Sequence, residues 1–182
     1  MRVITGSARG KKLEAPIGLN TRPTTDRVKE SVFNIIQSRL PANNILDLFA
    51  GSGAMGIEAL SRGSNHAVFV DCDKTAISVI NRNLEGTRLS DKANVINSSA
   101  NDYLNRCNEK FDIVFLDPPY NRDFLNNIVF KIVSDSILDD DGIIVVESEL
   151  GGEEITLDSV ECIKSAKYGK TVISILRKRD LN

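Results

Sequence analysis

The stretch ILDLFAGSGAMGIEAL, residues 45–60, joins a short apolar run to a helical pattern through closely spaced glycines. The run NILDLF, residues 44–49, predicts a buried strand, and the apolar spacing that follows predicts a helix ending near Gly63. The turn between them has the pattern GxGxxG. Small residues in such a turn let the backbone approach a nucleoside-bearing ligand closely.

Further apolar segments alternate with helical patterns along the chain. Strands are predicted at 66–71, 93–98, 111–117 and 142–149, and helices at 74–86 and about 123–134. This alternation predicts an α/β fold with a doubly wound, mostly parallel sheet that helices cover on both faces. After Gly151, strands at 155–165 and 170–178 predict an antiparallel hairpin at the sheet edge, so that the last strand is antiparallel.

The first 40 residues differ from the rest and are predicted to form a basic N-terminal extension before a main domain at 41–182. RVITG and KKLEA predict a short hairpin, and Thr25 or Asp26 is expected to cap a helix after the loop LNTRPTTDR. The extension has eight basic and three acidic residues, a net charge of +5, against −7 for the remainder. This asymmetry suggests a polyanionic partner, although a solvated basic face explains the charge equally well.

The composition is that of an ordinary globular protein, with 41% hydrophobic residues among 182. The sequence has no apolar run of membrane-spanning length and no apolar leader, so we expect a cytoplasmic protein without membrane association. One histidine and three cysteines without a CxxC pair predict no metal site and no disulfide framework. The cysteines are expected to be small buried hydrophobic residues.

Two carboxylates indicate which ligand the glycine turn binds. Asp71 lies twenty residues after Gly51, where an acid can accept hydrogen bonds from ribose hydroxyls. Asp47 lies four residues before Gly51, and a carboxylate there would repel a pyrophosphate. S-adenosylmethionine (SAM) has a sulfonium and an ammonium group and no phosphate. The alternative for Asp47 is a helix-capping or buried hydrogen-bonded acid.

The stretch FDIVFLDPPYNRDF, residues 111–124, ends a predicted strand with an acid, two prolines and a tyrosine. The first and fourth strands are neighbours at the switch point of a doubly wound sheet, where ligands bind. DPPY, residues 117–120, should therefore border the crevice of the glycine turn. Taken alone, the prolines could equally form a rigid turn.

Together these motifs resemble class I SAM-dependent methyltransferases, and DPPY resembles their signature for methylating a nitrogen conjugated to a ring or carbonyl. The resemblance implies that Asp117 and the Pro118 carbonyl accept the two hydrogens of the amine, that Pro119 stiffens the corner, and that Tyr120 stacks on the base.

The segments MRVITGSARGKKL, RPTTDRVKESVFN, DLFAGSGAMGIEALSRG, FLDPPY and YGKTVISIL resemble, in the same order, the RsmD-type bacterial 16S rRNA guanine-N2 methyltransferases. This resemblance implies a seven-stranded Rossmann-like class I fold with an N-terminal extension, and SAM as the methyl donor. It also implies guanine 966 of 16S rRNA as acceptor, in the 30S subunit or its assembly intermediate. We expect the enzyme to act as a monomer.

The resemblance also assigns residues to each ligand. The cofactor-binding residues would be Asp47, Phe49, Gly51, Ser52, Gly53, Asp71, Cys72, Ser99 and Ala100. The RNA-binding residues would be Arg9, Lys11, Lys12, Arg22 and Arg27. Many class I members have an acidic residue where this chain has Ser99.

Three alternatives remain open at this point. DPPY also suits methylation of DNA adenine or of a protein glutamine, because all three acceptors are planar amines. GxGxxG alone would suit an NAD-dependent oxidoreductase, which would leave DPPY and Asp47 unexplained. A non-catalytic RNA-binding module would leave both motifs without a role.

Overall fold

A computed structural model describes residues 1–16, 26–118, 124–152 and 154–179. The strands are β1 Asn44–Leu48, β2 His66–Asp71, β3 Ala93–Asn97, β4 Phe111–Leu116, β5 Leu138–Glu149, β6 Val160–Tyr168 and β7 Thr171–Lys178. The helices are α1 Asp26–Ile35, α2 Ala54–Ser61, α3 Lys74–Thr87, α4 Ala100–Leu104 and α5 Phe124–Ser134.

The seven strands form one sheet in the order β3-β2-β1-β4-β5-β7-β6. The pairs from β3 to β5 are parallel, whereas β7 runs antiparallel to both of its neighbours, β5 and β6. This confirms the predicted doubly wound sheet, its antiparallel last strand and its edge hairpin. The strand order reverses between β1 and β4, which pair from Ile45 with Ile113 to Leu48 with Leu116. The carboxyl ends of these two strands are therefore the expected ligand-binding edge.

The alternation of side chains along the strands divides the core into two layers. Ile45 and Phe115 point to one face of the sheet, where α1, α2, α3 and the N-terminal residues pack. Leu46 and Leu116 point to the other face, where α4 and α5 pack. Because both faces are covered, the central strands are mostly apolar, as the sequence indicated.

Three elements differ from the prediction. β5 begins at Leu138, four residues earlier than predicted. Leu138 pairs with Phe111 and Ile143 pairs with Ile113, so the acidic residues 139–141 lie in a bulge between these two pairs. The helix α4 was not predicted, because its five residues are too few to show a helical period. β6 begins at Val160 instead of residue 155.

The first sixteen residues, called the N-terminal hairpin below, form the predicted short hairpin. Arg2 pairs with Lys12, and the Val3 N–H donates to the Lys11 carbonyl at 2.9 Å. The hairpin rests on α2 at Gly6, whose φ is +90°. A Cβ there would lie 1.8 Å from the Ser61 carbonyl oxygen, so only glycine fits.

The helix α1 has Asp26 as its first helical residue, so Asp26 is not the cap; Thr25, the other predicted cap, and the loop before it lie outside the described residues. Val28, Val32 and Phe33 of α1 join the core that packs on the sheet, together with Val3 of the hairpin. The division of the chain at residue 40 therefore stays a prediction.

The expectation of buried cysteines was wrong. Cys72 and Cys162 are exposed, and Cys107 is half-buried. Cys72 follows the last residue of β2 at the ligand-binding edge, and Cys162 lies on the outermost strand, so neither can reach the core. In the described part of the chain, no helix has the length and hydrophobicity needed to cross a bilayer.

Candidate active site

The glycine loop, residues 49–53, leaves β1 in an unusual backbone conformation. Phe49, Gly51 and Gly53 have φ values of 66°, 54° and 73°. Glycine adopts this left-handed region without cost, but phenylalanine does so with strain. The Phe49 ring packs edge-on against Phe124, with centroids 5.6 Å apart, which helps to hold the strained residue. Such strain at a strand end is characteristic of functional sites.

The first and third glycines of the motif have different functions. A Cβ on Gly51 would meet no atom within 4 Å, so open space lies over this part of the loop. A Cβ on Gly56 would lie 2.4 Å from the Phe69 ring, so this glycine lets α2 pack closely on β2. The loop thus provides room for a ligand at Gly51 and a tightly packed support behind it.

Asp71 joins the end of β2 to the glycine loop. Its Oδ2 accepts from the Gly51 N–H at 2.8 Å, and its Oδ1 accepts from the Asp73 N–H at 2.9 Å. These bonds fix the orientation of the carboxylate. Each oxygen keeps a further lone pair, as a ribose ligand would require.

Asp47 lies beneath the loop and is only 4% exposed. Its Oδ2 accepts from the Gly56 N–H at 2.9 Å, in the first turn of α2. This contact agrees with the alternative considered from the sequence, in which Asp47 is a helix-capping or buried hydrogen-bonded acid. Burial raises the pKa of Asp47 to about 7; the Gly56 bond opposes the rise and nearby Asp71 adds to it. Binding a cation in this crevice would therefore favour the charged form of Asp47.

Asp117 directly follows β4 at the same edge of the sheet. Burial raises the pKa of Asp117, and the negative charges of Glu147 and Asp47 raise it further. Asp117 is nevertheless exposed to solvent, which screens part of this effect. Its pKa therefore lies above the ordinary value of 3.8 and no higher than about 8.

The strand register explains why these acids are neighbours. Asp47 pairs with Phe115 of β4, and Phe115 pairs with Val145 of β5. Asp117 and Glu147 are each two residues further along, Asp117 directly after β4 and Glu147 near the end of the pairing of β5 with β7. The carboxyl groups of Asp47, Asp117 and Glu147 therefore lie near one another, and the negative charges of Asp47 and Glu147 raise the pKa of Asp117.

Asp102, in the first turn of α4, is an acidic residue close to Ser99. Ser99 caps α4, accepting from the Asp102 N–H at 3.1 Å, and its hydroxyl donates to Asp102 Oδ2 at 2.7 Å. Sequence reasoning missed Asp102, although Ser-x-x-Asp is a capping pattern that could have indicated it. Ser99 is exposed and Ala100 is buried, so of the two only Ser99 presents surface.

The structure thus places the glycine loop, Asp47, Asp71, exposed Cys72, Ser99 and Ala100 along the carboxyl ends of β1, β2 and β3, with Asp117 and buried Pro118 beside them on β4. Pro119 and Tyr120 lie outside the described residues. Which of these residues bind a ligand stays a prediction.

The predicted RNA-binding residues do not belong to this cluster. Arg9, Lys11 and Lys12 are exposed on the N-terminal hairpin, and Arg27 is exposed on α1. None of these four cations lies within 4.0 Å of an acidic side chain of the described residues. Arg22 lies outside the described residues.

Comparison with known proteins assigns the chain to a family. The family model described as "Conserved hypothetical protein 95", which represents the RsmD family, matches residues 1–177. The chain belongs to the RsmD family.

Individual relatives agree with this assignment over nearly full length. The Bacillus subtilis protein YlbH is 42% identical over 98% of this chain and 100% of its own. Ribosomal RNA small subunit methyltransferase D of Haemophilus influenzae is 36% identical over 93% of this chain and 89% of its own. The solved structure of yhhF from Escherichia coli is 35% identical, with a TM-score of 0.87 and 98% of each chain covered. The yhhF structure thus shares the fold over nearly the whole chain.

Proposed function

We propose that this protein transfers a methyl group from SAM to the exocyclic N2 amine of a guanine in small-subunit rRNA, guanine 966. The observation that carries the proposal is the position of Asp117, which ends β4 beside the glycine loop at the β1/β4 switch point. The reaction forms a bond from the methyl carbon to N2, breaks the bond from that carbon to sulfur, and releases one proton of the amine. S-adenosylhomocysteine is the second product.

The residues of the crevice fit the donor. SAM, when bound, supplies a methyl group activated by its positively charged sulfur. The open space over Gly51 would take its methionine part, and the oriented carboxylate of Asp71 would bind the ribose hydroxyls. Asp102, presented by Ser99, would offer an acceptor for the amino group of adenine. The negative charge of Asp47 complements the positive donor.

Asp117 and the Pro118 carbonyl would hold the acceptor. The N2 lone pair of guanine is delocalised into the ring, so the free amine is flat and weakly nucleophilic. Two acceptors that bind its two hydrogens favour a pyramidal nitrogen whose lone pair points at the methyl group. Only the ionised carboxylate of Asp117 is a pure acceptor, so its raised pKa makes the reaction sensitive to pH. Tyr120 is expected to stack on the base.

The test of this function uses 30S particles from a strain that lacks the enzyme. We expect methyl transfer to N2 of one guanine, with kcat rising between the ordinary Asp117 pKa of 3.8 and about 8 as Asp117 ionises. Asp117→Asn should lower kcat by about 10²–10³, the usual cost of losing one transition-state contact. It should leave the affinity for S-adenosylhomocysteine intact, as measured by calorimetry.

The same assay separates the alternatives. Duplex DNA and a release factor are offered beside the particles, and methyl transfer to either in place of rRNA would contradict the rRNA proposal while retaining the N-methyltransferase chemistry. Affinity for NAD and none for SAM would instead favour an oxidoreductase. Normal turnover by Asp117→Asn would exclude the proposed role of Asp117.

The second prediction concerns the exposed cations of the hairpin. Replacing Arg9, Lys11 and Lys12 with glutamine should weaken binding to the particles and reduce the slope of log K against log salt by about two to three. Lys164 and Lys167, exposed on the edge strand β6, provide the control, and their replacement should leave the slope unchanged. Equal slopes for the wild type and the hairpin variant would show that phosphates contact another surface.

A further inference from the structure

Asn83 of α3 makes three hydrogen bonds to two separate segments of the chain, although its side chain has no place in the chemistry described above. It is 4% exposed. Its Nδ2 donates to the Ser52 carbonyl at 2.9 Å and to the Glu14 carbonyl at 3.0 Å, and its Oδ1 accepts from the Glu14 N–H at 2.8 Å. Only one orientation of the amide fits, because carbonyl oxygens must face Nδ2 and an N–H must face Oδ1.

The two segments that Asn83 joins correspond to the two proposed ligands. Ser52 lies between Gly51 and Gly53, in the loop where the methyl donor would bind. Glu14 belongs to the N-terminal hairpin, two residues after the exposed Lys12. Asn83 holds Glu14 through both main-chain polar groups, as a neighbouring strand would, and so fixes the position of the hairpin end relative to the loop.

The other contacts of the glycine loop and of the N-terminal hairpin that are described next do not join these two segments to each other. The loop is tied to β2 through the Gly51 N–H and Asp71, which does not involve the hairpin. The hairpin is tied to α2, where Glu58 accepts from the Ile4 and Thr5 N–H groups at 2.8 and 3.0 Å. Asn83 connects Glu14 to Ser52 through a single side chain, so a displacement of either segment strains hydrogen bonds to the other.

We propose that Asn83 is a positioning residue that couples donor binding at the glycine loop to RNA binding at the N-terminal hairpin. This inference rests on the proposed function. RNA that holds the hairpin also holds the Ser52 carbonyl, and a donor that orders the loop also orders Glu14. Each ligand then raises the affinity for the other by the same factor, as thermodynamic linkage requires.

The experiment measures the affinity for S-adenosylhomocysteine, which cannot react, by calorimetry with and without unmethylated 30S particles. In the wild type we expect the particles to tighten binding at least about fivefold, the lower end of measured coupling between sites. Asn83→Asp keeps the size and one acceptor but turns the donor into a second acceptor facing two carbonyls. In Asn83→Asp and Asn83→Ala the ratio of the affinity with particles to the affinity without them should fall to about one.

Arg82→Ala is the matched control on the same helix. Arg82 Nε binds the Glu14 carboxylate at 2.8 Å, so its loss removes a side-chain link to the same residue and keeps the main-chain link through Asn83. The control should retain the wild-type ratio. In turnover with particles, the Asn83 variants should raise the KM for SAM and leave kcat at saturating SAM unchanged, a split that general destabilisation would not produce.

A wild-type ratio near one overturns the inference, and so does a wild-type ratio retained in Asn83→Asp. The wild-type measurement decides even if the alanine variant fails to fold. A wild type that binds both ligands and methylates the particles without coupling refutes this inference alone. A wild type that does not methylate the particles refutes the proposed function first and this inference with it.

Discussion

Two acids, Asp47 beneath the glycine loop and Glu58 within α2, are both buried but have opposite surroundings. Glu58 is fully buried and lies 3.2 Å from Lys29 Nζ and 2.9 Å from Arg62 Nε. It also accepts two backbone N–H groups of the N-terminal hairpin. Among the described residues, Asp47 accepts a hydrogen bond from the Gly56 N–H.

This difference separates an acid whose charge is balanced inside the fold from an acid that has no cation beside it among the described residues. Glu58 is surrounded by two cations and two N–H groups, so its charge is balanced without any ligand. Burial lowers the pKa of its partner Lys29, and Glu58 opposes that shift. Asp47 has no such cation beside it among the described residues, and burial raises its pKa to about 7. A positively charged donor would supply the missing charge.

The largest effect is expected for Glu58→Ala. The substitution leaves Lys29 buried without its partner and two hairpin N–H groups without an acceptor, so the free energy of unfolding should fall by about 3–5 kcal/mol. Chemical denaturation at neutral pH measures this change.

Lys29→Met is the control for Glu58→Ala. It removes one cation but leaves Glu58 with Arg62 and both N–H groups, so its cost should be smaller. An equal or larger cost for Lys29→Met would mean that the lysine, which also donates to the Arg2 carbonyl at 2.6 Å, holds the hairpin.

In contrast to Glu58→Ala, Asp47→Asn is expected to raise the free energy of unfolding. The pKa of Asp47 is higher in the folded state than the ordinary 3.8, so its contribution to stability is present below about pH 4 and is lost as the pH rises towards 7. Asparagine carries no charge and can still accept the Gly56 N–H. The variant should therefore be more stable above pH 7, by at most about 4 kcal/mol for a shift of about three units.

Denaturation of the Asp47→Asn variant and the wild type at several pH values tests this sign, and the gain should grow between about pH 4 and pH 7. The same variant should bind SAM more weakly, because the complementary charge is gone. A variant that is less stable than the wild type at pH 8 would show that the charge of Asp47 is already compensated.

The parts of the fold that could be predicted from sequence are those that depend on local patterns. β1, β2 and β4 are mostly apolar runs, so the sheet could be predicted, and the glycine loop and Asp117 follow the carboxyl ends of β1 and β4 as expected. The helix α4 and the first residues of β5 were missed, because one is too short and the other begins in an acidic segment paired across a bulge.

The roles of Asp47, Glu58 and Asn83 depend on contacts between distant parts of the chain. The position of Asp47 before Gly51 suggested a carboxylate near the ligand, but its bond to Gly56 could not be chosen over that role from spacing alone. Glu58 looks like an ordinary polar residue of a short helix, and Asn83 like one of a longer helix. The partners of Glu58 and Asn83 become visible only when the N-terminal hairpin is docked on α2 and α3.

The smallest change in the free energy of unfolding is expected for Arg82→Ala. This substitution removes the partner of Glu14, an exposed acid that can be compared with the buried Glu58. Arg82 and Glu14 are paired at 2.8 Å, as close as any contact of Glu58, yet their side chains are 50% and 60% exposed. Water already solvates both charges, so the pair should contribute no more than about 0.5 kcal/mol to the free energy of unfolding, and less at high salt. Denaturation at low and high salt measures it. A cost near that of Glu58→Ala would mean that distance, and not burial, determines what an ion pair contributes in this protein.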